Sequence, residues 1–356
     1  MMTELYERSK PALSEDRADF TAHPIFFDIV ATEPMWLHAH NGSALRGMLY
    51  RALIALSEGR RLSGNLQIAP QDPVLRRLLA TLDEQSERGQ DVQRPYVIVP
   101  PLLAQAEDLD ERDRHILQAG EGFTFGITLF GAASEAFQFV VLGMRAAEED
   151  GIGRPLRNGR GRFAVVRATA HNPLTETTQE LYAQGSTLVR MPDVQVTPAH
   201  VMAQANLDAQ HHPTRLRLHF HTPMTLRQQG QPVHVPHFHV LIHRLIERLT
   251  QMSEIHAGAR LACLPADREG RNALLHLADQ VQLADNKTRW VPARGFSDRT
   301  NKPTELGGLM GHADYVTDHP DGLASFLPIL RWGELTHAGR HTVKGNGLFR
   351  MQLLGG

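Results

Sequence analysis

Two histidines, His38 and His40, stand in the stretch Met35-Trp36-Leu37-His38-Ala39-His40-Asn41-Gly42, just ahead of a helical pattern. Side chains at i and i+2 of an extended segment point to the same side, so an extended backbone here pairs two imidazoles. Imidazole titrates close to neutral pH and can give or take a proton at a reacting centre. The plainer alternative is a pair of solvated loop residues. Beyond them Arg46, Tyr50 and Arg51 fall on the side of the helix that its apolar residues leave free, where guanidinium and phenol groups can stabilise developing negative charge. At the far end of the chain runs Gly339-Arg340-His341-Thr342-Val343-Lys344-Gly345-Asn346-Gly347. Glycines let backbone N–H groups come close to phosphates, and Arg340, His341 and Lys344 add positive charge. A tight turn between the last helix and the last strand would also explain these glycines.

Three other clusters carry chemistry. Lys287, Arg289, Arg294, Arg299 and Lys302 are interleaved with Trp290 and Phe296, a mixture suited to phosphate pairing and base stacking on a single strand, or simply to a solvated face. Arg154, Arg157, Arg160 and Arg162 form a second basic run. His234, His237, His239 and His243 invite a metal reading, since His239 and His243 have the i, i+4 spacing of a helical chelate. No cysteine or clearly placed carboxylate completes that site, so a solvated helix face is expected and no metal or cofactor is assigned. His219 and His221 alternate along a strand and face either a ligand or a neighbouring domain.

The elements that must position these groups follow from periodicity. Residues 25–31 (IFFDIVA) read as a strand, and 35–42 as an irregular or strand-end segment. Ser43 is a good N-cap for a helix with Leu45, Met48, Leu49, Ala52, Leu53 and Leu56 on its apolar face. Residues 64–91 are polar, with a short helix over 74–82. Strands are expected at 95–100, 123–130 and 162–168, with an amphipathic helix over 134–149. Residues 172–213 hold Pro173, Pro192, Pro198 and Pro213 and read as a connector. The pattern then restarts with a strand from Thr214, a helix carrying Phe238, Leu241, Ile242, Leu245, Ile246, Leu249 and Met252, strands or a hairpin over 277–291 and 309–316, a helix over 323–335 and a last strand over 347–354. Each half reads β-α-β-β-α-β, the ferredoxin-like order. The expectation is an α+β protein of two tandem ferredoxin-like domains, spanning 20–190 and 212–356.

Composition sets bounds. With 356 residues, 42% hydrophobic and 21% charged, the chain can bury cores in two domains. Its one cysteine, Cys263, rules out an internal disulfide framework or a CxxC zinc site. No apolar run is long enough to span a membrane and the first residues lack a signal-peptide core, so a cytoplasmic protein is expected. A net charge of −2 gives no global electrostatic case for nucleic acid, so any such partner must use a local basic surface.

Five stretches in order resemble the CRISPR repeat-RNA-processing endoribonuclease family of the RAMP superfamily. They are Ser43-Ala44-Leu45-Arg46-Gly47; Gly151-Ile152-Gly153 followed by Arg160-Gly161-Arg162-Phe163; Leu218-His219-Phe220-His221-Thr222-Pro223-Met224-Thr225-Leu226; Gly307-Gly308-Leu309-Met310-Gly311; and the segment from Glu334 to Gly347. Gly339-Arg340 stands where that family usually has Gly-Lys, and Lys344 where it has an aromatic residue. The resemblance implies a metal-independent enzyme that cuts a CRISPR repeat at one place by 2′-hydroxyl attack, leaving a cyclic phosphate, or else a non-catalytic RAMP subunit that holds guide RNA. It places the catalytic histidine at His38 or His40, with Tyr50 matching a tyrosine of some members. RNA contact is expected from Arg46, Arg51, Arg160, Arg294, Arg299, Gly339, Arg340, His341, Lys344, Gly345 and Gly347. The partners implied are CRISPR repeat RNA and other CRISPR effector subunits, with the chain a monomer or homodimer.

Overall fold

A computed structural model describes residues 19–57, 75, 78, 93–103, 114–156, 159–297, 302–319 and 322–354. The first half runs β1 (Ala22–Ala31), β2 (Met35–His38), α1 (Gly42–Ser57), β3 (Tyr96–Val99), β4 (Arg114–Leu117), β5 (Gly122–Phe130), α2 (Phe137–Asp150), β6 (Ile152–Leu156), β7 (Gly159–Gly161), β8 (Phe163–Asn172) and β9 (Thr177–Ala183). After α3 (Pro198–Ala209), the second half runs β10 (Arg215–Met224), β11 (Arg227–Gln228), β12 (Gln231–Pro232), α4 (Phe238–Ala257), α5 (Arg268–Asp279), β13 (Gln282–Asn286), β14 (Arg289–Val291), β15 (Arg294–Ser297), β16 (Lys302–Glu305), β17 (Gly308–Val316), α6 (Leu327–Thr336) and β18 (Phe349–Leu353).

The first sheet has the order β3-β5-β1-β8-β9 and the second β13-β17-β10-β18, with β14 also on β17. All these pairings are antiparallel. Without the extra β9, each sheet has the order of a ferredoxin-like unit, and the chain holds two in tandem. Alternation along the central strands explains which face each buries. In β1, Ile25, Phe27 and Ile29 are buried and α1 and α2 complete that core. In β10, Leu216, Leu218 and Phe220 face α4 and α6, while Arg215, Arg217, His219 and His221 take the other side.

The two cores meet. Phe20, Val97 and Phe130 from the first half pack in the same cluster as Leu245, Trp332 and Phe349. Phe20 stacks on Phe130 at 5.7 Å and tilts against Trp332 at 5.2 Å.

Several expectations change. Of the two alternatives for 35–42, Met35–His38 is a strand, paired with β4 far along the chain, and residues 39–40 bend. Ser43 is not the N-cap. The helix begins at Gly42, and the Asn41 carbonyl accepts from the amides of Ala44 and Leu45 at 2.9 and 3.0 Å. The connector over 172–213 contains β9 and α3. Pro198 starts α3 rather than breaking it, because proline suits the first helical position and Thr197 Oγ1 caps the turn by accepting from the His200 amide. Leu277 lies in the last turn of helix α5 instead of opening a strand; the Asp267 side chain caps that helix by accepting from the Gly270 amide at 2.8 Å. The expected helix over 74–82 lies outside the described residues except for Leu75 and Leu78, which are helical and buried. No helix among the described residues is long and apolar enough to cross a membrane.

Two stability outcomes follow. Gly347 has φ +75°, and a Cβ on it would lie 1.8 Å from the Ala338 carbonyl oxygen, whereas Gly185, at φ +84°, has open space around it. Gly347→Ala should lower the thermal midpoint by several degrees more than Gly185→Ala, which carries only the backbone penalty of about 1–2 kcal/mol. Burial lowers the pKa of His337 to about 3 and of His23 to about 4, from 6.5. Both are neutral in the fold while the unfolded chain protonates below pH 6.5, so their stabilisation is present above that pH and is lost as pH falls towards 4. Urea unfolding at pH 7 and pH 5 should show a loss of about 2 kcal/mol for each histidine.

Candidate functional site

His38 closes β2 and His40 sits in the bend that follows, before α1. Their rings lie 6.5 Å apart at 35°, and the His40 amide donates to His38 Nδ1 at 3.5 Å. The Asn41 side chain donates to the His38 carbonyl at 3.2 Å, which ties the bend to the strand. The two imidazoles are thus neighbours across a bend, not along one continuous extended strand. His38 is exposed, while His40 is half-buried and lines a cleft between the two halves of the chain. His40, Ser43 and Pro100 form one wall of that cleft, and His221, Lys344 and Asn346 the other.

The second wall is held by a rigid loop. Residues 342–344 form a single 3-10 turn between His341 and Gly345, both in the left-handed region. The Thr222 hydroxyl donates to the Gly345 carbonyl at 2.8 Å and accepts from the Leu348 amide at 2.9 Å. Asn346 Nδ2 donates to the Leu306 carbonyl at 2.7 Å, and His337 Nδ1 donates to the Asn346 carbonyl at 3.2 Å. The loop meets α1 so closely that a Cβ on Gly42 would lie 2.1 Å from the Lys344 carbonyl oxygen.

These contacts correct the expected role of the glycines. The amides of Arg340, Lys344, Gly345, Asn346 and Gly347 all donate to carbonyls within the protein. A Cβ on Gly339 would lie 2.6 Å from the Thr225 carbonyl oxygen, and one on Gly345 2.8 Å from Pro100. The glycines permit backbone packing, and the loop's chemistry resides in its side chains: exposed Arg340 and half-buried His341 and Lys344.

Other predicted residues distribute around this centre. Ala293 lines the cleft and exposed Arg294 follows it, on a β15–β16 hairpin whose Gly295 packs against Ser43. Arg160 stands on the β6–β7 hairpin, which lies flat on β2 because Gly153 and Gly161 leave room for Trp36 and Met35, and its Nε donates to the Gly153 carbonyl at 3.2 Å. Arg51 is exposed on α1. Arg299 and Arg157, and the side chains of Arg154, Phe296 and Lys302, lie outside the described residues. Tyr50 is not brought to the histidines. It lines a separate apolar pocket with Leu53, Tyr96 and Val140, and the Arg46 guanidinium lies over its ring at 5.5 Å.

Of the histidines between 234 and 243, His237 and His239 stack at 5.9 Å and the others have separate partners. His234 packs on Trp290 at 4.5 Å, His239 lies 3.3 Å from Asp279, and His243 lies 3.3 Å from Glu247. Among the described residues, no group of three or more histidine, cysteine or acidic side chains could hold a metal ion. His219, His221 and His312 instead gather on the open face of the second sheet, at ring separations of 6.1 and 5.6 Å about His219. Burial, with Arg350 and His219 nearby, lowers the pKa of His221.

Two residues were not singled out by sequence. Arg114 faces His38 across β2 and β4 and lies over Trp36 at 4.1 Å, a proximity that only the strand pairing creates. Arg248 sits on the buried face of α4, where Leu241, Leu245 and Met252 share its helical spacing. That interruption of an apolar stripe was a readable signal. Its Nε donates to the Thr336 carbonyl at 2.9 Å and its Nη1 to Gln93 Oε1, while Nη2 has no partner among the described residues. Burial lowers its pKa to about 9, which leaves it charged at neutral pH. An unmade hydrogen bond of a buried donor costs about 1–3 kcal/mol.

Residues 218–349 match the family model of the CRISPR-associated endoribonuclease Cas6, and residues 20–194 match a model described as an N-terminal domain. Residues 218–349 thus carry a domain of the Cas6 family. The fold is similar to that of a Thermus thermophilus Cas6, with a TM-score of 0.52 at 11% identity over 94% of this chain and 100% of that one. A Cas6 product complex gives a TM-score of 0.52 at 12% identity, over 93% and 100% of the two chains. A partial Cas6-RT-Cas1–Cas2 complex gives 0.55 at 10% identity, over 95% of this chain and 47% of that one. No curated protein matches the chain. The family that this domain matches is one of RNA-cleaving enzymes of CRISPR RNA processing.

The position of Tyr50 generates a test. Tyr50→Phe should change RNA cleavage less than threefold, roughly the effect of a hydroxyl outside the reacting site. Tyr50→Ala should lower the thermal midpoint by opening the apolar pocket, at a cost of about 2–4 kcal/mol.

Proposed function

We propose that the chain is a metal-independent, sequence-specific endoribonuclease that cuts CRISPR precursor RNA within its repeats. The reading takes the two ferredoxin-like units, over 20–190 and 212–356, as the domains that hold the RNA between them. The observation that carries it is the meeting of His40, from the start of the first helix, with Lys344, from the terminal loop, across one cleft.

Cleavage of this class forms a bond from the 2′-oxygen to phosphorus and breaks the bond from phosphorus to the 5′-oxygen. The 2′-hydroxyl gives up a proton and the leaving 5′-oxygen gains one, so the products are a 2′,3′-cyclic phosphate and a 5′-hydroxyl. His40 is the proton-transfer group at the scissile phosphate, and His38 is the second imidazole, linked to it through the His40 amide. Lys344 supplies positive charge where the phosphorane develops. Arg46, Arg51, Arg160, Arg294, Arg299, Arg340 and His341 are assigned to the RNA backbone, the charge-assisted contacts that set register.

The test is cleavage of the repeat RNA from the adjacent CRISPR array in the presence of EDTA. Wild type should cut at one position, and His40→Ala should slow single-turnover cleavage by at least about 100-fold while still binding. His38→Ala should have a smaller effect, and Lys344→Ala should slow the chemical step more than it weakens binding. Binding without cleavage by wild type would favour a guide-RNA-holding RAMP subunit. Cleavage that survives both histidine substitutions would overturn the assignment.

A further inference from the structure

The seam between the two sheets opens into a second crevice, of about 390 Å³, on the other side of the terminal loop. It is lined by Gln93 ahead of β3, by Arg244, Glu247 and Arg248 of α4, and by Gly339 and Arg340. Arg227 joins from the β11–β12 hairpin, so four arginines face one carboxylate there. That carboxylate is already engaged: Glu247 accepts from Arg244 at 2.5 Å and from Arg271 at 3.1 Å, and His243 lies 3.3 Å away.

Arg248 is 6% exposed. Two of its three nitrogens are hydrogen-bonded to neutral oxygens, of Thr336 and Gln93, and the third has no acceptor among the described residues. A buried guanidinium held by neutral groups, with a donor unmade, is stabilised by an anionic oxygen at that point. The loop decides which anion fits best. Its first residues, Gly339 and Arg340, line this crevice, while Lys344 and Gly345 line the His40 cleft. A single phosphodiester strand crossing the loop meets both.

We propose that this crevice is a phosphodiester-binding subsite for the RNA strand, with Arg248 at its floor and Arg340 at its rim holding a phosphate away from the one that reacts. The proposal rests on the reading of the chain as an RNA-processing enzyme and extends it to a second contact point. Arg248 and Arg340 act here in binding and take no part in proton transfer.

Fluorescence anisotropy with the repeat RNA of the adjacent array tests this, in a His40→Ala background that keeps the strand whole. Arg248→Lys, which keeps the charge and loses the fork, and Arg340→Ala should each weaken binding about tenfold. Arg340→Ala should also flatten the dependence of log K on log salt by about 0.7. The double variant should lose less than the product of the two, since both hold one phosphate. A folded Arg248→Lys that binds with unchanged affinity would overturn the proposal. If that variant does not fold, Arg340→Ala and Arg244→Gln carry the test, and unchanged affinity and salt slope in both would overturn it equally. A second arm uses inorganic phosphate against chloride at equal ionic strength. Phosphate that raises the thermal midpoint and competes with the RNA supports the subsite. Phosphate that raises the midpoint without competing marks a free-anion site and overturns the RNA assignment. Cleavage by the His40-intact protein is read separately, so failure of the catalytic reading and failure of the subsite give different results.

Discussion

Between Gly42 and the Lys344 carbonyl there is no room for a methyl group. This close approach of two backbones, one at the start of the first helix and one near the end of the chain, governs the rest of the molecule. It brings the bend that carries His40 against the loop that carries Lys344, and so creates the cleft. It is supported from both sides. Gly345 packs on Pro100 at the end of β3, and Gly347 packs on Ala338 at the end of α6. The shared apolar cluster of Phe20, Phe130 and Trp332 then holds the two sheets in register behind the seam. Because the backbones touch directly, their relative position is insensitive to side-chain rotamers, which suits a site whose two halves come from opposite ends of a chain.

The loop shows how packing and chemistry divide the work among adjacent residues. Its glycines adopt left-handed backbone angles and accept close neighbours, and the amides of Arg340 and of residues 344–347 donate within the protein. Its charged side chains project to the two openings on either side, Arg340 to one and Lys344 to the other. The local basic surface that an overall net charge of −2 does not predict is thus built by topology, which gathers arginines from α4, from the β11–β12 hairpin and from the loop.

Histidine serves two different purposes in this protein. His337 and His23 are buried and neutral, with pKa values of about 3 and 4. They act as hydrogen-bonding core residues and make the fold sensitive to acid. His38 and His40 sit at the end of the β2–β4 strand pair, His38 exposed and His40 half-buried on the cleft. Abundance of histidine therefore says little by itself, because burial decides whether a given imidazole can exchange a proton.

The tandem β-α-β-β-α-β order was legible in the sequence because each central strand alternates and each core helix repeats an apolar stripe, patterns that local sterics and burial impose on the chain directly. The family resemblance was legible for the same reason, since the glycines at 308, 339, 345 and 347 mark places where a Cβ would meet its neighbours too closely. Helices α3 and α5 were missed because their faces are largely solvated and their caps, Thr197 and Asp267, were the only strong local signals. What tertiary structure alone decided was which residues meet. Tyr50 shares a helix with Arg46 but faces an apolar pocket, Arg114 reaches His38 only through strand pairing, and Arg248 becomes a buried cation, with one donor unmet among the described residues, only when Gln93 and α6 close over it. Local sequence dictates backbone conformation through short-range sterics. Which side chains face one another depends on long-range packing, and that is set only when the two sheets close on each other.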